Sequence, residues 1–254
     1  MVPVVVLWAV LASAAAACAL DLFTLWRHDD ATLNVHVGDR VDYRSLTIDQ
    51  GRRQSEVVRL QCVGEDAVAW VLELLPLVDD DSGLHPIPGE GWRLRLSRSA
   101  GENRGRFEDH VLGVEQWLDG EPRSVPMEEW RSDPLLQTIL SSEFTPESCQ
   151  DLGQTTRVVS GRDLLCDRVM LADRDTSLIE LPRGNLLQVH VREVSASFHA
   201  DIPFLGVAHA AERSETSSEI QPAGSRRAPP PRIRIETMEL VDFGRDAKPW
   251  LGQG

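Results

Sequence analysis

The sequence predicts an α+β domain in which one large, strongly curved antiparallel sheet wraps a single main helix. Three observations carry this. Short runs that alternate apolar and polar residues recur along the chain, each bounded by turn signals. Outside the N-terminal segment, only Met127 to Leu140 places apolar residues at helical spacings. The chain has 254 residues, 42% of them hydrophobic, enough to bury one large core.

The elements follow in order. Val37, Val41, Tyr43, Thr47 and Ile48 mark a strand over 35–48, closed by Gln50-Gly51. Residues 55–63 and 68–75 are the next two strands, joined at Glu65-Asp66, which makes a meander by spacing. Asp79 to Gly91 is an acidic loop rich in Pro and Gly. Trp92 to Leu96 alternates apolar and basic side chains, as a half-exposed strand does. Val111 to Leu118 follows, closed by Asp119-Gly120. The helix over 127–140 carries Trp130, Leu135, Leu136, Ile139 and Leu140, with Pro134 near a break. Strands resume at 155–160, 164–171 and 176–181, and two more fill 186–213 around Pro203 to Gly206. Ser214 to Pro231 reads as a flexible linker loop, Ile233 to Phe243 as the last strand, and 245–254 as a loose tail. The domain division is a signal peptide at 1–19, a mobile leader at 20–34 and one β domain at 35–244.

The signal peptide rests on composition. Met1 to Leu20 has no charged side chain; Val2 to Leu11 is apolar and Ala12 to Ala19 is built of small residues. The run is just long enough to span a bilayer, but its alanine-rich end favours cleavage over anchoring. Ala15-Ala16-Ala17-Cys18 resembles a bacterial lipobox, making Cys18 a lipidation candidate. The competing cut falls before Leu20. Both place the protein in the periplasm or outer cell envelope, attached to a membrane only in the Cys18-acylated form.

The formal charge of −14 lies entirely outside residues 1–20. Such a surface repels phosphate backbones, which argues against nucleic-acid binding. Lys248 is the single lysine, so a Schiff-base site has one candidate, and that one sits in the tail. No hydrolase elbow, zincin helix, Walker loop or dinucleotide fingerprint is present. Asp79, Asp81 and Glu90 resemble calcium-loop spacing, but Leu84 stands where the loop needs glycine. The sequence therefore points to no catalytic residues, metal or cofactor, and to a non-enzymatic protein.

Removing Cys18 leaves Cys62, Cys149 and Cys166. Cys149 and Cys166 flank a turn in a chain expected to be exported, making them a disulfide candidate; closing a loop of that size contributes about 3 kcal/mol. Two buried thiols are the alternative, and Cys62 reads as a core residue. Trp70, Trp92 and Trp117 fall on three successive predicted strands. If their faces coincide they line one wall of a ligand pocket; otherwise they are core between sheet and helix.

Four segments carry a resemblance. Val37-Gly38-Asp39-Arg40-Val41-Asp42-Tyr43-Arg44 resembles the opening strand of secreted proteins with the LolA/LppX-like half-barrel, the fold of periplasmic lipoprotein carriers. Val63 to Asp66 followed by Trp70 to Glu73 resembles their next hairpin, Asp201 to Val207 a late strand, and Glu239 to Gly244 the closing strand. Together they span much of 37–244 in the expected order. The resemblance implies a half-barrel whose apolar concave face holds acyl chains. Two functions stay open: binding of a lipid or other apolar ligand, and a structural or protein-interaction module of the cell envelope with no ligand.

Overall fold

Three hairpins show how local chemistry sets the sheet. The turns at Gln50-Gly51, Asp119-Gly120 and Ser160-Gly161 each put two successive residues at positive φ, at 50° and 80°, 51° and 84°, and 48° and 75°. That is the two-residue turn whose twist matches a right-handed hairpin, with glycine in the second position where a Cβ costs most. They join β1 (Arg40–Asp49) to β2 (Arg52–Glu65), β6 (Val111–Leu118) to β7 (Glu121–Val125), and β8 (Ser148–Val159) to β9 (Arg162–Leu181).

The computed structural model describes Leu25 and residues 33–102, 107–132, 148–181, 184–221 and 230–252. The remaining strands are β3 (Ala69–Asp80), β4 (Gly83–Pro86), β5 (Gly91–Ser97), β10 (Gly184–Phe198), β11 (Val207–Gln221) and β12 (Arg232–Gly244). Two short helices, α1 (Phe107–His110) and α2 (Met127–Ser132), complete the described elements, with a 3₁₀ turn at Arg98–Gly101.

All strands join one antiparallel sheet in the order β7-β6-β5-β3-β2-β1-β12-β11-β10-β9-β8, with β4 pairing the far end of β3. The chain starts in the middle, runs out to one edge, and returns from the other edge to place β12 beside β1. The β7–β8 connection therefore crosses from edge to edge. α2 opens that connection and buries Trp130 in the main core.

The sheet is open and strongly curved. β9 and β12 are separated by two strands, which in a flat sheet would put them about 14 Å apart. Instead, Ser160 at the β8–β9 turn donates to the carbonyl of Val241 on β12 at 3.0 Å, and Arg162 lies over the Phe243 ring at 5.1 Å. Register shifts at Asp42/Tyr43, Cys62/Gly64, Arg95/Leu96 and Ser197/Phe198 coil the strands, as bulges do.

The main core lies on the concave face. Val41 and Tyr43 of β1, Val58, Leu60 and Cys62 of β2, Trp70 and Leu72 of β3, and Met238 and Leu240 of β12 share it with Val194 and Ala196 of β10 and Leu171 of β9. Tyr43 keeps its hydroxyl satisfied by donating to the Val207 carbonyl at 2.9 Å.

Four expectations are corrected. The segment 214–221 is not linker: β11 continues to Gln221, register-paired with β10 down to Asn185. Its Ser and Glu side chains hide the strand because the pairing is made by backbone. The runs 164–171 and 176–181 are one continuous strand, β9. The leader is tied down at its described residues, since Leu25 is fully buried in the core, Leu33 packs against that core and Asn34 exchanges two backbone hydrogen bonds with Phe204, at 2.8 and 2.7 Å. The tail is docked through residue 252, as described below. The helix expected over 127–140 is present over Met127–Ser132, while 133–140 lie outside the described residues, as do the signal segment, Cys18 and the rest of the linker at 222–229. Among the described residues no helix is long and apolar enough to cross a membrane.

Candidate functional site

The two faces of β3, β5 and β6 do different work, and register decides which residue serves which. Leu74 lies opposite Trp92, and Trp92 opposite Gln116. Trp70 lies opposite Leu96. Trp70, Trp92 and Gln116 therefore point to the concave side. Trp117 lies opposite Gly91 and points the other way. The three tryptophans do not form one wall: Trp70 and Trp92 join the main core, whereas Trp117 packs with Leu75 and Leu251 in a separate convex cluster.

That convex cluster is the anchor of the C-terminal segment. Glu73, at 0% exposure, sits at its centre and accepts from four donors: the Gln61 amide at 2.9 Å, Arg93 at 2.8 Å, and the backbone N–H groups of Trp250 at 2.9 Å and Leu251 at 3.4 Å. The Gln61 amide also donates to the Lys248 carbonyl at 2.9 Å, and Arg93 to the Leu251 carbonyl at 2.6 Å. Arg93 stands 5.3 Å from the Trp117 ring centre. A Cβ on Gly252, which has φ +85°, would meet the Trp117 ring at 3.0 Å. Further along, Ala247 donates to the Gly38 carbonyl at 2.9 Å and Arg40 bridges Asp246 at 2.7 Å. Residues 245–252 are thus a strap across the convex face. Arg40 also pairs Asp242 at 2.7 Å; against the opposing effect of burial, hydrogen bonds from Ser160 and then Arg40 hold the Asp242 carboxyl below the usual carboxylate range, and the hydrogen bond from Arg40 does the same for Asp246.

On the concave side a cleft of about 430 Å³ opens where β3 leaves β5 to pair with β4. Val58, Pro76, Ile87, Trp92, Gln116 and Leu118 line it, with Glu56 and Glu90 among the polar residues around it. Trp117 borders the same cleft, although its ring belongs to the convex cluster. Burial pushes the Glu56 carboxyl up, against the opposing hydrogen bond from Gln54. Trp70 faces a different opening, between the 3₁₀ turn and residues 33–36, where Arg98 lies 5.9 Å from its ring centre.

The disulfide candidate is not formed. Cys149 lies opposite Leu171 and Cys166 opposite Thr155, so the two are offset by five residues, about 17 Å along a strand. A disulfide needs Cα atoms within about 7 Å. Cys166 is buried and Cys149 exposed. Cys62 is a buried thiol pushed up to about 11, chiefly by burial, which keeps it protonated and inert at neutral pH. Asp79 of the acidic loop is paired with Arg44 at 3.2 Å, and among the described residues no group of three metal-ligating side chains converges.

Sequence reasoning missed Glu56, Gln116 and Glu73. A signal for Gln116 existed: in the run Val114-Glu115-Gln116-Trp117-Leu118, the alternation places Gln116 on the same face as Val114 and Leu118.

The fold and cleft define an open, curved antiparallel half-barrel with an apolar concave face and an opening at one end. No family model and no curated protein matches the chain. Among solved structures, it is similar to a domain named as an outer membrane lipoprotein-sorting protein from Vibrio parahaemolyticus, at 7% identity over 81% of this chain and 84% of that one, with a TM-score of 0.27. It is also similar to a DUF1329 family protein from Desulfovibrio piger ATCC 29098, at 9% identity over 91% and 92% of the two chains, with a TM-score of 0.29.

Proposed function

We propose that this protein is an exported, non-enzymatic envelope protein that binds an apolar or lipid-like ligand in the cleft beside Trp92. The observation that carries the reading is the cleft itself. Its volume of about 430 Å³ exceeds the roughly 300 Å³ at which small-ligand sites begin, and its floor is apolar. Most of the concave face is sealed core, filled by Trp130 and Leu25 among others. That packing restricts the ligand to the end of the sheet, and it is also the one observation favouring the alternative, a structural or protein-interaction module with no ligand.

The test is a fluorescence titration with a neutral single-chain alcohol such as 1-decanol, in parallel on the wild-type chain and on Trp92→Phe. A saturable change in emission that vanishes in the variant is the expected result. No saturable change in either protein would sink the ligand reading and leave the structural one. For export, metabolic labelling with a fatty-acid analogue separates the two starts: the Cys18 form incorporates label and the Leu20 form does not. A mature protein retaining Met1 refutes both.

A further inference from the structure

An open sheet has free edges, and proteins blunt them with short strands, proline, bulges or charge. β7 is a strand of 5 residues that contains Pro122. β8 has a register shift between Asp151 and Gln154, with Gly153 at φ 69°. One stretch of edge has none of these backbone devices. β8 begins at Ser148, opposite Ala172, whereas β9 runs on to Leu181. Asp173 to Leu181 therefore pairs with β10 on one side, without a register shift, and with no strand on the other among the described residues. Residues 174–180 are all exposed, Leu178 by 55%. The Thr176 N–H donates to the adjacent Asp175 carboxylate at 2.8 Å, a local acceptor of the kind a strand edge without a neighbour uses.

What guards this stretch is charge, and the order of its charges is self-complementary. Two antiparallel copies related by a two-fold axis must set one residue opposite itself, because hydrogen-bonded and non-hydrogen-bonded pairs alternate and cannot exchange. Ser177 is the midpoint of Asp173 to Leu181, so full overlap of two such edges puts Ser177 on the axis. The same register sets Arg174 opposite Glu180 of the second copy, and Glu180 opposite its Arg174. Thr176 then faces Leu178, Asp175 faces Ile179, and no like charges meet. Neither Arg174 nor Glu180 has an ion-pair partner among the described residues of its own chain. The neighbouring symmetric registers lose the match. Centring on Asp175 sets that carboxylate against itself, and centring on Thr176 or Leu178 leaves Arg174 and Glu180 without an opposite charge. Opposed charges across a strand pair stabilise it, and like charges destabilise it.

We propose that the distal edge of β9 is a docking surface for a second copy of this chain, the two edges pairing antiparallel about Ser177 and joining two sheets into one. Pairing over Arg174 to Glu180 stops short of Ala172, where β8 already holds the edge. β10, β11, β12 and β1 lie between this edge and the β2 side of the cleft, so the proposal is independent of the ligand-binding reading.

The test is sedimentation velocity on the full chain at about physiological ionic strength, where the mutual repulsion of copies with net charge −14 is screened beyond about 8 Å. The wild type is expected to pass from monomer to dimer across a concentration series. Arg174→Glu and Glu180→Arg each set like charges opposite one another twice, and each is expected to weaken the dimer about tenfold or more. The double variant Arg174→Glu/Glu180→Arg remakes both pairs in the reverse sense and is expected to recover wild-type dimerisation. An equimolar mixture of the two single variants is expected to recover it as a heterodimer. Ser177→Cys in a Cys149→Ser background reads the axis itself. Directly opposed Cα atoms lie about 4.5–5.5 Å apart, within disulfide reach, so this variant is expected to crosslink on oxidation. Thr176→Cys in the same background, displaced from its own copy along the strand, is not. A wild type that stays monomeric, a dimer that ignores either single reversal, or crosslinking at 176 in preference to 177 overturns the proposal.

Discussion

Glu73→Ala is expected to lower the unfolding free energy by about 3–5 kcal/mol, the range for removing one partner of a buried ion pair. The carboxylate is fully buried and Arg93 is its charged partner at 2.8 Å. Alanine leaves Arg93 only the more distant, exposed Glu115 at 3.8 Å as a carboxylate partner and leaves the N–H groups of Trp250 and Leu251 without their acceptor. The strap then loses its anchor, and Leu75 and Trp117 lose Leu251 as cover. Glu73→Gln keeps the shape and one acceptor oxygen, so its cost is expected to be smaller. Urea denaturation measures the stability change, and hydrogen exchange of the Trp250 and Leu251 amides reads the strap directly. Exchange of these two amides should accelerate towards unprotected rates in Glu73→Ala at denaturant concentrations where the sheet is still intact. Wild-type protection of both amides in Glu73→Ala would show that the strap is held by something other than this carboxylate.

The strap also shows why parts of the molecule were not legible in the sequence. Residues 245–252 hold no apolar periodicity, and they dock through backbone atoms onto a glutamate three strands from the C-terminal strand. In the run Val71-Leu72-Glu73-Leu74-Leu75, Glu73 looks like the solvent-facing position of a half-buried strand; a distant segment covers it, together with Gln61 and Arg93 from the neighbouring strands. Turn chemistry was legible because it is local. Gln50-Gly51, Asp119-Gly120 and Ser160-Gly161 all fall where a glycine relieves a positive φ, and the strands between them alternate as read. Register was not. A one-residue step in pairing moves every side chain to the other face, and the spacing of Trp92 and Trp117 says nothing about whether Trp92 meets Gln116 or Trp117. The same limit undid the pairing of Cys149 with Cys166: the shift between Asp151 and Gln154 and the true strand offset are set by tertiary pairing, not by the length of the segment between the cysteines. The cleft was half legible. Its tryptophan was singled out for its size, but its acids and its amide came to light only when register placed Glu56 and Gln116 on the concave face.

Trp92 is where core stability and the proposed ligand binding meet, so Trp92→Ala carries two expected effects that must be separated. The ring is 9% exposed and belongs to the main core, so truncation is expected to cost about 3–5 kcal/mol, as deletion of a large buried aromatic does. Trp70 is its internal control. It is buried to a similar degree, at 8% exposure, and lies in the same core cluster, yet it does not line the cleft that Trp92 shares with Gln116. Trp70→Ala is therefore expected to lose stability over the same range while binding 1-decanol with wild-type affinity. In Trp92→Ala, calorimetric binding is expected to weaken at least tenfold under conditions where denaturation curves show the variant still folded. Loss of the indole removes a wall of the cleft as well as packing against Leu74, its register partner. Equal stability losses with unequal binding losses would place the ligand at Trp92. Equal losses of both in the two variants would mean that binding merely follows the integrity of the core, and the cleft would then be a packing defect at the end of the sheet with no ligand of its own.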